Sequence, residues 1–220
     1  MDDITIIMMT PNRVPKQWAA FHKEKLLEAV GNTPIITISS KPLDWGINLI
    51  QTEYGLINLY QQMLRGAKLA TTTYVGIADD DTLYPSEHFQ YRPPMDRFAY
   101  NFNRWHLFTW GEPFYFHKPR PGNGLLIASR ELIVNALEKR FRINKPLSLD
   151  YMTELGSING VIEYDGAGYI SFSTHYPVVS FYHDFSMDRA CRRHCKKPWP
   201  VRAFDIPKWG RAEELRKYFE

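Results

Sequence analysis

Cysteine is nearly missing from this chain. Only Cys191 and Cys195 occur in its 220 residues, too few and too late for a disulfide framework, so a reducing, cytoplasmic setting is the expectation. No apolar run reaches the roughly 20 residues that span a bilayer, and no membrane segment is expected. The first residues carry two acids, Asp2 and Asp3, and pass at once into an apolar run, a pattern unlike a secretory leader. Internal repeats and low-complexity tracts are also lacking. Glycine does not occur between Thr10 and Lys16, where a Gly-rich phosphate loop would follow a first strand. Neither sign of charge dominates, since 27 Lys and Arg face 24 Asp and Glu.

A hydrophobic content of 44% and an aromatic content of 15% are enough for one ordered domain with a sizeable core. The charge is unevenly spread. Residues 186–220 hold 10 Lys and Arg against 5 Asp and Glu, whereas the first 185 hold 17 against 19. A main domain over 1–185 with a basic extension over 186–220 packed on it is the expected organisation. Such an asymmetry suits a phosphate-bearing partner.

The stretch Tyr74-Val75-Gly76-Ile77-Ala78-Asp79-Asp80-Asp81 reads as a buried strand running into three carboxylates. Adjacent like charges repel unless a cation or solvent takes up the charge. Asp79 and Asp81, one residue apart on a rigid strand end, form a hard oxygen pair suited to Mg²⁺ or Mn²⁺. A solvated acidic turn before Thr82 and Pro85 is the plainer alternative.

Before this stretch the pattern alternates. Ile4–Met9 predicts a central strand, Lys16–Val30 a helix stopped by Gly31, and Pro34–Ser39 a second strand. Leu56, Leu59, Tyr60, Met63, Leu64 and Ala67 recur at three and four, with Thr52 as the expected N-cap. Strand, helix, strand, helix, strand predicts an α/β fold with a parallel sheet. Ligands bind outside the carboxyl ends of such strands, so Thr10–Arg13, Ser39–Lys41 and Asp79–Asp81 should converge on one crevice. Residues 91–121 are rich in aromatics and Pro, which predicts antiparallel strands near Leu107–Trp110 and Pro113–His117. Further on come a strand at Leu125–Ala128, a helix capped by Ser129, and acids at Asp150 and Glu154 on a predicted helix. A strand region over Gly168–Phe172 and a last strand, Pro177–Tyr182, which ends at His183 and Asp184, complete the main body.

The order of these parts resembles the nucleotide-sugar glycosyltransferases of the GT-A fold, in particular the inverting family 2 type. Their first strand ends in a turn matched by Thr10, Pro11, Asn12 and Arg13, and their DXD motif is matched by Asp79-Asp80-Asp81. Gly122-Asn123-Gly124-Leu125 and Arg130 are similar to their later Gly-rich turn, strand and Arg, and the similarity runs over about residues 4–184. The resemblance implies a GT-A-like, Rossmann-type, mostly parallel sheet flanked by helices, with a smaller antiparallel acceptor-side portion. It implies a donor nucleotide-diphosphate sugar, a UDP-sugar first of all, held by Thr10, Pro11, Asn12, Arg13, Ser40 and Asp80. It implies Mn²⁺ or Mg²⁺ on Asp79, Asp81 and His183, and Asp150 or Glu154 as the base. Two departures stand out: Ser39-Ser40-Lys41 replaces the uracil-contacting Asp, and the usual Glu-Asp pair is loosened into Asp150 and Glu154.

Other readings compete. A sugar-phosphate nucleotidyltransferase would use the same acids but usually has the missing Gly-rich loop. A non-catalytic carbohydrate- or nucleic-acid-binding module would leave the acidic triplet without a purpose. Cys191, His194 and Cys195 lie within a helical turn, but a structural zinc site wants four ligands. The run Arg189, Arg192, Arg193, Lys196, Lys197 and Trp199 mixes cations with an aromatic, as nucleic-acid contacts do. The acceptor expected for a transferase is therefore either a glycan or a hydroxymethylated DNA base.

Overall fold

A computed structural model describes residues 3–53, 55–143, 153–157, 165–184 and 197–219. Its strands in chain order are β1 (Ile4–Thr10), β2 (Ile35–Ser39), β3 (Ile47–Ile50), β4 (Tyr74–Asp79), β5 (Thr82–Leu83), β6 (Phe98–Asn101) and β7 (Arg104–Phe108). They continue with β8 (Tyr115–His117), β9 (Leu126–Ser129), β10 (Tyr169–Phe172), β11 (Val178–Tyr182), β12 (Arg202–Ala203), β13 (Asp205–Ile206) and β14 (Gly210–Arg211). The helices include α1 (Lys16–Val30), α2 (Leu56–Leu69), the short α3 (Ser86–Gln90) and α4 (Arg130–Ile143).

The main sheet has seven strands in the order β10-β6-β9-β4-β1-β2-β3. β3, β2, β1 and β4 are mutually parallel, and β9 alone runs against both of its neighbours. All seven residues of β1 are buried, as expected of a strand covered on both faces. Gly66 of α2 sits directly on Ile7, where an added Cβ would lie 2.8 Å from the Ile7 methyls, so this helix can lie close to the sheet. The predicted α/β architecture with its mostly parallel sheet is the one observed. β3 was not anticipated, because its pattern is partly exposed and carries Asn48.

The second sheet, β12-β8-β7-β11-β5, is mostly antiparallel. One of its faces packs Trp18, Leu83, Leu107, Tyr115, Val179 and Phe181 with Leu215 of the short helix Ala212–Arg216. Residues 197–219 thus contribute both a strand and core side chains to this sheet. Trp18 lies fully buried between Phe181 and Phe219, with ring centroids 4.4 and 4.3 Å away.

Helix α2 begins after Gly55 and not after Thr52. Gly55 holds φ at 108°, a left-handed conformation that disfavours any side chain, and Asn58 turns back onto Gln51 and the Glu53 carbonyl. Thr52 instead lines a cavity of about 420 Å³ with Gln51, Glu53, Gln61 and Arg65 at the end of β3.

Candidate active site

The polypeptide leaves the main sheet at Asp79 and enters the second sheet at Thr82, so the three acids occupy the passage between the two sheets. The neighbouring strand ends converge on this passage. Thr10 at the end of β1 donates its hydroxyl to the Asp80 carboxylate, and Trp18 Nε1 donates to the Asp80 carbonyl at 2.7 Å. Asn12 sits at φ 53°, a conformation that Asn tolerates, and its Oδ1 accepts from Lys41 N at 2.9 Å and from Ser40 Oγ at 3.1 Å. Ser40 Oγ also reaches the Pro11 carbonyl at 2.7 Å. Thr10, Pro11, Asn12, Ser40 and Asp80 are thereby joined in one hydrogen-bonded rim, while Arg13 projects from an exposed position beside it.

Each acid has a distinct setting. Asp80 is turned toward Thr10. Asp81 receives the Thr82 hydroxyl at 3.1 Å and faces His183, whose Nε2 lies 3.5 Å from its Oδ2. Asp79 faces the turn Asn123–Leu125, where Gly124 packs directly on its carboxylate, and its backbone N–H donates to the Tyr84 hydroxyl at 2.9 Å. Tyr84 in turn donates to the Gly124 carbonyl at 2.8 Å. Desolvation and repulsion from Asp81 push the Asp79 and Asp80 carboxyls well above the ordinary carboxylate range. The Arg104 guanidinium opposes this rise at Asp79, and Thr10 opposes it at Asp80.

Such a donor set suits a hard divalent cation: oxygen ligands carrying more negative charge than their surroundings relieve. Asp81 and His183 already face each other and Asp79 adjoins them in the passage. Among the described residues, however, no three His, Cys, Asp or Glu side chains stand together as a preformed cage. A Mg²⁺ or Mn²⁺ ion held there would have to draw much of its shell from water and phosphate oxygens.

Of the two acids expected to act as base, Asp150 lies outside the described residues, as do Cys191, His194 and Cys195. Glu154 is described, in a short non-helical segment held from three sides. Arg140 Nη1 donates to the Thr153 carbonyl at 2.7 Å, Tyr100 Oη to the Leu155 carbonyl at 2.9 Å, and Gly156 N to Asp165 Oδ2 at 2.6 Å. Arg140 and Asp165 are themselves a buried bidentate pair, with both contacts at 2.5 Å. Burial raises the Tyr60 phenol, with the charge of Glu154 adding to the rise and Asn123 Nδ2, 3.3 Å from the hydroxyl, opposing it. Glu154 therefore neighbours Tyr60, which Asn123 links to the turn against Asp79.

No family model and no curated protein matches the chain. Among solved structures it is similar to the bifunctional IspDF from Campylobacter jejuni, with 9% identity and a TM-score of 0.45. That match covers 79% of this chain but only 50% of the other, so the chain spans about half of that enzyme. It is also similar to a glycosyltransferase involved in the glycosylation of the major capsid of PBCV-1, with 12% identity and a TM-score of 0.47. Here 80% of this chain and 91% of the other are covered.

Several residues of the site carry no signal in the sequence. Tyr84 fixes the Asp79 backbone, Trp18 fixes that of Asp80, and the Arg104 guanidinium acts on Asp79 and Asp81. Strand alternation puts Arg104 and His106 on one face of β7, but that Arg104 meets Asp79 and Asp81 is decided only by the tertiary fold.

Proposed function

We propose that this protein transfers a glycosyl group from a nucleotide-diphosphate sugar to an acceptor hydroxyl. The observation that carries this reading is the convergence of Thr10, Asn12, Ser40 and the three acids in one crevice at the carboxyl ends of parallel strands. Asp81 and Asp79, with His183, would hold Mg²⁺ or Mn²⁺, which when bound neutralises charge building on the leaving diphosphate. The rim of Thr10, Pro11, Asn12 and Ser40 would orient the nucleotide, and Arg13 at its border would meet phosphate or ribose oxygens. Glu154 or Asp150 would accept the acceptor's proton; Glu154 is favoured by the hydrogen bonds that immobilise its segment. A base acting from the face opposite the leaving group gives inversion at the anomeric carbon.

A sugar-phosphate nucleotidyltransferase is the competing reading. The test is a panel of nucleotide-diphosphate sugars incubated with Mn²⁺, with release of nucleoside diphosphate as the readout. Release from one sugar nucleotide, lost in EDTA, is expected. Pyrophosphate release from a nucleoside triphosphate and a sugar phosphate, without hydrolysis of any sugar nucleotide, would overturn the proposal.

A further inference from the structure

Arg104 opens β7 and Lys118 follows β8 directly. The two face each other across the antiparallel pair, because Trp105 opposes His117 and the Lys118 N–H donates to the Arg104 carbonyl at 2.9 Å. Side chains directly opposed in this way share one face, with Cβ atoms roughly 5 Å apart, and like charges there destabilise the sheet. Both cations are also partly withdrawn from water. Lys118 is only 9% exposed, and Arg104 is half-buried, its Nε enclosed without a hydrogen-bond partner.

Neither cation has a carboxylate at ion-pair distance among the described residues. Lys118 Nζ donates to Tyr182 Oη at 2.7 Å, one acceptor for three donors. Arg104 Nη1 makes one long contact, 3.5 Å, to the Pro121 carbonyl. Gly122 packs flat on the guanidinium, where a Cβ would lie 2.8 Å from Cζ, so only bare backbone lies against it there. The exposed Arg120 adds a third positive charge that acts on both. Cations drawn partly out of water without a carboxylate in contact are costly, and two opposed across one ladder are costlier.

The turn between these elements joins Arg104 to the acids. Gly122 rests on Arg104 and Gly124, two residues later, on Asp79. Through this turn the Arg104 end of a basic cluster, Arg104, Lys118 and Arg120, adjoins the acids Asp79 to Asp81.

We infer that Arg104, Lys118 and Arg120, with the Tyr182 hydroxyl, form an oxyanion site that takes a phosphate group. The anion supplies a counter-charge in direct contact, which Asp79 and Asp81 give Arg104 only from beyond ion-pair distance, and it lies beside the acids and not on them. The inference deepens the glycosyl-transfer reading, in which the phosphate belongs either to the donor diphosphate or to a phosphorylated acceptor. The site itself does not depend on that reaction.

Titration calorimetry of the full chain with inorganic pyrophosphate, in EDTA so that no cation bridges to the acids, tests it. Wild type should bind, more weakly as salt rises. Lys118→Met and Arg120→Ser should each weaken binding about tenfold, and Arg104→Lys should retain part of it, while the exposed control Arg97→Ser is unchanged. Arg120→Ser alters only an exposed side chain, so its result stands even if a buried variant unfolds. Absence of binding by wild type in EDTA, or wild-type affinity in both Lys118→Met and Arg120→Ser, would overturn the site. Nucleoside diphosphate tested beside nucleoside identifies the source. An advantage of the diphosphate that disappears in Lys118→Met assigns the anion to the donor, and an advantage kept there while pyrophosphate binding is lost assigns it to the acceptor. Pyrophosphate binding without turnover of any sugar nucleotide would remove the glycosyl-transfer reading and leave this site intact.

Discussion

Gly124 lies flat against the carboxylate of Asp79. A Cβ at position 124 would fall 2.6 Å from Asp79 Cγ and 3.1 Å from the Tyr84 hydroxyl. Asp79 is at the end of β4 and Tyr84 is fully buried, so neither gives way easily. Gly124→Ala should therefore displace the carboxylate, at a cost of about 1–3 kcal/mol in stability. Donor turnover should fall far more than the fold is weakened. Turnover at wild-type level, measured beside a urea melt, would show that the orientation of Asp79 does not matter.

Asp81 faces both His183 and the repulsion of its neighbours. Removing its charge in Asp81→Ala should abolish donor turnover while leaving the thermal midpoint unchanged or raised. Dialysis of wild type against EDTA should produce the same loss, restored by Mn²⁺. Full activity in EDTA would sink the cation reading.

Glu154→Gln should lower turnover by roughly two to four decades with little change in donor affinity, as expected for a lost base. Asp150→Asn is the companion variant. If the second is inactive and the first near wild type, the base is Asp150; if both are active, it is neither.

The bidentate pair of Arg140 and Asp165 is completely buried and holds the segment that carries Glu154. Asp165→Asn removes the bidentate carboxylate from a buried guanidinium, which costs about 3–5 kcal/mol. Replacing both residues with apolar ones should recover part of that loss but not the activity, because the backbone of residues 153–156 would lose its anchors. Chemical denaturation and turnover measured on the same samples separate the two effects.

His88 is enclosed by Tyr84, Phe89 and Phe172, and burial pushes its imidazole from the ordinary 6.5 down to about 3. Between these values the unfolded chain binds a proton that the folded chain refuses. Its contribution to stability is therefore complete above about pH 6.5 and lost as the pH falls toward 3, at up to about 1.4 kcal/mol per pH unit. His22, pushed down to about 4 mainly by burial, acts with the same sign. In His88→Phe the acid limb of the stability curve should flatten. An unchanged limb would mean that His88 is protonated in the folded protein.

Much of the scaffold was legible in the residues themselves. The limits of α1 follow from its apolar spacing and Gly31, and β1 and β4 follow from unbroken apolar runs, because local periodicity reports which faces are covered. The acidic triplet and the turn at Thr10 could be placed together because parallel strands bring their carboxyl ends to one edge. Edge strand β3 escaped notice because an exposed strand need not be apolar, and Thr52 was displaced as a cap by Gly55. The basic cluster was beyond any local signal. Arg104 and Lys118 are 14 positions apart, and only the β7–β8 ladder opposes them; only the turn that lays Gly122 on Arg104 and Gly124 on Asp79 brings Arg104 to the acids. Composition and spacing determined the α/β scaffold and the place of the acids. Long-range strand pairing decided what faces those acids, because charges distant in sequence meet only once the tertiary fold has formed.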